Sequence, residues 1–203
     1  MSASKIFLIV AAVIIVVVAI LGFSVVGVYN SLVTLDQATQ SAWANVQTAY
    51  QRRLDLIPNL VATVKGAANF EQSTLTAVTE ARSRVGQITS EGLQNITNDP
   101  AAFARFQQAQ AGLSSALSRL MVVAEAYPEL KATQNFRDLQ LELEQTENRI
   151  GVERRRFIEA AQAFNTRREK FPTNVIAGFF AKFQAKAYFA AEEGAQKAPE
   201  VKF

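Results

Sequence analysis

Any chemistry in this chain must come from carboxylates, guanidinium groups and amines, because its 203 residues include no histidine and no cysteine. Their absence removes the commonest general base, the commonest transition-metal ligand and the thiolate nucleophile. Three charged clusters remain. Glu142, Glu144 and Glu147 could in principle gather a cation. A di-metal bundle site, however, draws on Glu-x-x-His pairs, and these cannot form here. Arg154-Arg155-Arg156 reads as a solvated helix face, with Arg149–Glu153 and Arg155–Glu159 as pairs one turn apart. Arg52, Arg53 and Asp55 flank Pro58 and admit two readings. One is a solvated face. The other is a buried Arg–Asp bond that fixes register or holds a partner, with arginine also available to carbonyls that the proline leaves free. No catalytic residue, metal or cofactor is expected. The mild net charge of +3, with both signs interleaved, gives no reason to expect nucleic acid as a partner.

The elements that must position these groups are helices. Strand-like alternation is absent, and Ala, Gln, Glu, Arg and Leu dominate after the first 28 residues. Trp43, Val46, Tyr50, Leu54, Ile57, Val61 and Val64 form one stripe, with Pro58 expected to kink that helix without ending it. Leu75, Val78, Ala81, Val85 and Ile88 form a second stripe. Thr89 to Asp99 reads as a loop, and Asp99-Pro100 as an N-cap followed by proline at the first helical position. A third helix carries Phe103, Phe106, Gln110, Leu113, Leu117, Leu120 and Ala124 and stops at Tyr127-Pro128. In the fourth, Phe136, Leu143, Ile150, Phe157, Phe164 and Phe171 recur every seven residues, the pattern of a supercoiled bundle seam. Glu153 and Arg167 at intermediate positions point to a seam that is less dry toward its end. Short connections make successive helices antiparallel, so the fold class is all-α, an elongated antiparallel four-helix bundle.

Ahead of the bundle, Ile6 to Val28 is free of charge and proline. As a helix it rises roughly 34 Å, enough to cross a bilayer core of about 30 Å. It is longer than the apolar region of a cleaved signal peptide and lacks a good cleavage site, so it reads as a retained transmembrane anchor. Lys5 precedes the run, and the first cations after it are Arg52 and Arg53, which favours a cytoplasmic N-terminus with the remainder outside. The expected division is a tail over 1–5, the anchor over 6–28, the bundle over 29–172 and an amphipathic segment and tail over 173–203. The fourth helix should return to the membrane end and deliver Phe171, Val175–Phe183, and the cations Arg167, Arg168, Lys170, Lys182 and Lys186. There Phe179, Phe180, Lys182 and Phe183 are either a membrane-interface contact or part of a cap on the bundle. The first and fourth helices outlast the other two, which leaves apolar stripe near the membrane for a partner chain to cover.

The segment Tyr50-Gln-Arg-Arg-Leu-Asp-Leu-Ile-Pro-Asn-Leu-Val, with Tyr29-Asn30 and Trp43 before it and Val64-Lys65-Gly66 after it, resembles the LemA family of bacterial envelope proteins. Glu71, Glu80-Ala81-Arg82, Tyr127-Pro128-Glu129-Leu130, Arg156, Phe164-Asn165, Phe171-Pro172-Thr173-Asn174, Tyr188-Phe189 and Glu192-Glu193-Gly194 extend the likeness. The resemblance implies an N-terminally attached bundle on the outer side of the cytoplasmic membrane. It marks Arg52, Arg53, Asp55, Pro58, Asn59, Lys65, Glu71 and Arg82 as a family motif and an expected interaction surface. Two departures stand out. Relatives often carry a lipoprotein cysteine where this chain has Gly27-Val28, and a histidine where it has Phe70 after Asn69. The function expected is a non-catalytic scaffold or protein-interaction module that self-assembles, with the lipid bilayer and further copies of itself as partners. The alternatives are a regulator of a membrane protease, which the resemblance implies by association, and an enzyme of unrecognised type, against which the missing residue types argue.

Overall fold

The computed structural model describes residues 3–66, 71–90 and 93–189. Every regular element in them is helical: α1 (Ala3–Lys65), α2 (Gln72–Ser90), a 3-10 helix (Leu93–Asn98), α3 (Pro100–Ala124), α4 (Pro128–Ala132), α5 (Gln134–Glu169) and α6 (Thr173–Phe179). The Asn69-Phe70 and Glu192–Gly194 motif positions, with the rest of 190–203, lie outside the described residues.

No breaker separates the apolar run from the first bundle helix, and α1 passes from one to the other as a single 63-residue rod. At 1.5 Å per residue it is about 95 Å long. Phe7 to Gly27 packs against nothing, and burial begins at Val28, which is 6% exposed. The unpacked stretch rises about 31 Å, matching the hydrocarbon thickness of a bilayer. Beyond it α1 and α5 form the long spine of the bundle, and α2 and α3 form a shorter hairpin beside them.

The core falls into three stacked clusters. The distal one joins Leu54, Ile57 and Val64 to Leu75, Val78, Leu117, Leu120 and Phe136. The middle one is aromatic. Trp43 lies with ring centroids 5.3–6.2 Å from Phe103, Phe106, Phe157 and Phe189. The third, nearest the apolar run, holds Val28, Leu32, Phe164, Ala177 and Phe183.

The seven-residue seam on α5 is buried from Phe136 through Phe164. It ends there, because α5 stops at Glu169 and Phe171 is 83% exposed. The expected fourth helix is also split near its start. Thr133 is extended, and its hydroxyl accepts from the amide of Phe136 as an N-cap, so α4 stands apart from α5. Asp99 caps α3 as the Asp-Pro pair requires, accepting from the amides of Ala101 and Ala102. Part of the expected loop before it winds into the 3-10 helix, whose Ile96 reaches the aromatic cluster.

The stripe expected to lie uncovered near the membrane is covered by the chain's own C-terminal segment. Ala177 and Phe183 close over Val28, Leu32 and Phe164. Residues 183–189 then run along the bundle without regular structure. Buried Asn165 holds them in the manner of a neighbouring strand. Its amide donates to the carbonyl of Lys186 (2.9 Å), and its carbonyl oxygen accepts from the Lys186 amide (2.8 Å). Arg168 Nε adds a bond to the carbonyl of Phe183 at 2.7 Å.

Candidate functional site

The motif residues Arg52 to Lys65 lie on α1, Glu71 just before α2 and Arg82 midway along α2, all well above the membrane end. Arg53 is the largest fully buried side chain, 1% exposed. Its Nη1 donates to Glu147 on α5 at 2.7 Å and to Ser114 on α3 at 3.0 Å, and its Nη2 donates to Gln110 on α3. One guanidinium thus ties three helices together, with its face 5.1 Å from the Tyr50 ring centroid. Of the two readings, a solvated face or a buried Arg–Asp bond, neither describes all three residues: Arg53 is buried, but no Arg–Asp bond forms. Residues two apart on a helix point to different sides, and Asp55 is exposed, accepting instead from Gln51 at 2.7 Å. Arg52 is solvent-facing and reaches Glu142 at 3.1 Å, an exposed pair of small energetic weight.

The proline has a separate partner. Pro58 has no amide hydrogen, so the carbonyl of Leu54, four residues earlier, loses its helical donor. Arg82 on α2 supplies one, donating from Nε to the Leu54 oxygen at 3.1 Å. The helix passes through Pro58 without ending. The sequence had offered an arginine for such a freed carbonyl, but the one that serves is 28 residues along the chain. This gives a compact test. Arg82→Leu should cost about 1–2 kcal/mol by leaving a partly buried carbonyl unpaired. The cost should shrink toward zero in a Pro58→Ala background, where residue 58 again donates within the helix. Thermal unfolding of the four variants measures the coupling, and additive effects would remove the assignment.

The remaining motif residues are peripheral. Asn59 and Lys65 are exposed, and Glu71 accepts from Ser73 just before α2 begins. Glu142 and Glu147 are each engaged by an arginine, so they do not face a common cation position. In the arginine run, Arg156 rather than Arg149 pairs with Glu153, at 3.0 Å. Arg154 lies 4.4 Å from the Phe189 ring centroid.

Two of the residues grouped at the membrane end prove to be interior. Phe183 is 1% exposed, which rules it out as a membrane contact. Lys186 is 4% exposed, paired with Asp36 at 2.5 Å and bonded to Asn98 at 2.8 Å. Nothing in periodicity flags Lys186 or Asn165, because their partners lie on an irregular segment. Phe180 is partly covered by the Tyr29 ring, at 5.0 Å, and Lys182 donates to the Tyr29 hydroxyl at 2.6 Å. Phe179, at 82% exposed, stays free.

Residues 42–203 match the model of the LemA family. The chain belongs to the LemA family. The matched region takes in the buried arginine, the proline with its arginine donor, and the C-terminal segment. The chain is similar to Magnetosome protein MamQ 2 of Paramagnetospirillum magneticum, 28% identical over 175 residues, and to Magnetosome protein MamQ of Magnetospirillum gryphiswaldense, 26% identical. Each match covers 79% of this chain and 64% of the relative, so the likeness leaves over a third of those proteins unmatched. It is also similar to Protein LemA of Metamycoplasma hominis, 26% identical over 160 residues, covering 79% of this chain and 68% of that one. As a LemA-family protein with one helix, among the described residues, long and apolar enough to cross a bilayer, the chain reads as a membrane protein.

Proposed function

We propose that this LemA-family protein is a non-catalytic scaffold of the bacterial cell envelope, inserted by α1 and seated on the same membrane by its C-terminal turn. The observation that carries the reading is an exposed apolar face at the level of Val28, where the lipid-facing part of α1 ends. Phe171, Val175 and Phe179 are 83%, 52% and 82% exposed, while Ala177 between them packs into the cluster with Val28. Val175 and Phe179 are four apart on α6 and share a side. Lys170 and Lys182 flank them, where cations meet lipid headgroups. Burying each of the two phenylalanines in lipid is worth about 1.5–3 kcal/mol.

The scaffold reading also rests on how the charged motif is used. Arg53 and Arg82 hold helices together, and the carboxylates nearest Arg53 answer to arginines. Lys5 before the apolar run supports a cytoplasmic N-terminus in the inner membrane, with the bundle in the periplasm. Self-assembly in the plane of the membrane completes the proposal. Val122, exposed at 71% on the body of the bundle, is available for it. Light scattering on detergent-solubilised protein is expected to give a homo-oligomer. A monomer at every concentration would count against self-assembly.

A further inference from the structure

Where the lipid-facing part of α1 ends, one lysine is held in place and left without a counter-charge. Lys182 Nζ donates to the Tyr29 hydroxyl at 2.6 Å and lies 4.5 and 4.8 Å from the ring centroids of Tyr29 and Phe183. Those two rings pack edge-on against each other and against Phe180, with centroids 5.0–6.0 Å apart, and Phe183 is buried. The platform is therefore fixed, and the rotamer freedom that a lysine gives up on binding is already given up. Lys182 is nonetheless exposed, and among the described residues no carboxylate pairs with it. Lys186, four residues on, is its opposite: buried, and paired with Asp36.

An ammonium carries three donors, and one is spent on Tyr29. The tyrosine hydroxyl accepts that bond and keeps its own proton to donate. We propose that Lys182 and Tyr29 form a phosphate site for one anionic phospholipid, whose headgroup hydroxyls enter the cleft beside them. Tyr29 directly follows Val28, so the site stands at headgroup level, and exposed Val175 and Phe179 offer an apolar side to the acyl chains. The cleft has a volume of about 600 Å³, and Gln37, Asn98 and Gln184 line it with Lys182. Its two carboxylates are already engaged. Asp36 is held by Lys186 and Gln40, and Asp99 by the amides of Ala101 and Ala102. Gln37 and Gln184 are exposed, and their amides suit hydroxyl groups. The inference rests on the membrane seating of the C-terminal turn and adds to it a single lipid, chosen by its headgroup.

The test takes the full chain in detergent with equal amounts of phosphatidylglycerol and phosphatidylcholine, and reads the retained lipid by native mass spectrometry. Phosphatidylglycerol should be retained about fivefold over phosphatidylcholine, the worth of one lysine at an anionic surface. Lys182→Gln should abolish that preference. Lys170→Gln, which removes an exposed cation of the same turn that has no ring platform, should leave it intact. Equal losses from the two variants mean diffuse charge attraction and overturn the site. Gln37→Leu with Gln184→Leu should lower retention of phosphatidylglycerol but not of phosphatidic acid, which has no headgroup hydroxyls. Equal loss of both lipids overturns the assignment of the cleft. Displacement of the lipid by excess inorganic phosphate makes a free anion the ligand and overturns the lipid. A nitroxide at Phe179→Cys in liposomes separates the two readings. A label reached by lipid-dissolved oxygen, without any phosphatidylglycerol preference, overturns this site alone, whereas a label in water overturns the seating and the site with it.

Discussion

Glu147→Ala is expected to destabilise the bundle by about 3–5 kcal/mol, more than Arg53→Met does, although Arg53 is the buried member of the pair. The asymmetry follows from where each charge is left. Arg53 is 1% exposed and cannot reach water, so loss of Glu147 leaves a desolvated guanidinium with only Ser114 and Gln110 as acceptors. The Glu147 side chain is 42% exposed. Once Arg53 is gone it turns to solvent, and methionine retains much of the buried stem, so that change should cost about 1–3 kcal/mol. Their direct attraction is partly screened at the open side, so desolvation of Arg53 dominates the difference. Near-ultraviolet circular dichroism during thermal unfolding in detergent gives the order. If Arg53→Met proves the more damaging, the guanidinium is acting through packing, and the three-helix tie loses its rationale.

Trp43→Ala is expected to cost a similar amount, about 3–5 kcal/mol, for a different reason. Its indole is 5% exposed and stands among four phenylalanine rings drawn from α3, α5 and the C-terminal segment. Truncation opens a cavity where those elements meet, and Phe189 loses a wall, so the C-terminal segment should loosen with the core. Trp43→Phe should cost well under half as much. It keeps an aromatic plate and removes an indole N–H that is buried without an acceptor. Hydrogen exchange at residues 183–189, measured beside global unfolding, tests the link. Unchanged protection there in Trp43→Ala would separate the segment from the core.

The contrast between these residues and their neighbours shows what the sequence makes legible. The stripes on α1, α2, α3 and α5 are legible because a helix repeats its buried face every three or four residues. Phe136 through Phe164 lie buried as the seven-residue spacing requires. Pairings between helices are not legible, since their spacing carries no local rule. Arg53 meets Glu147 across 94 residues, and the nearby Asp55 turns away. Pro58 announced a freed carbonyl, but the donor on α2 is fixed by how two helices cross. The end of the seam at Phe171 and the break at Thr133 depend on caps and on a turn that periodicity does not describe. Residues 183–189 are least legible of all. Their order comes from Asn165 and Arg168 bonding to backbone, and from Lys186 reaching Asp36 and Asn98.

That segment also reshapes the membrane end. Phe183 and Lys186, grouped by composition with lipid-facing residues, are interior, whereas Phe171, Val175 and Phe179 carry the exposed apolar surface. The most direct measurement places a nitroxide on an engineered cysteine at Phe179, and separately at Leu141 far up the bundle, in protein reconstituted into liposomes. If the C-terminal turn is seated on the membrane, the label at 179 will be reached by oxygen dissolved in lipid and shielded from a water-soluble nickel chelate. The label at 141 will show the opposite. Aqueous accessibility at 179 equal to that at 141 would contradict the account, leaving α1 as a tether and the bundle free of the membrane surface.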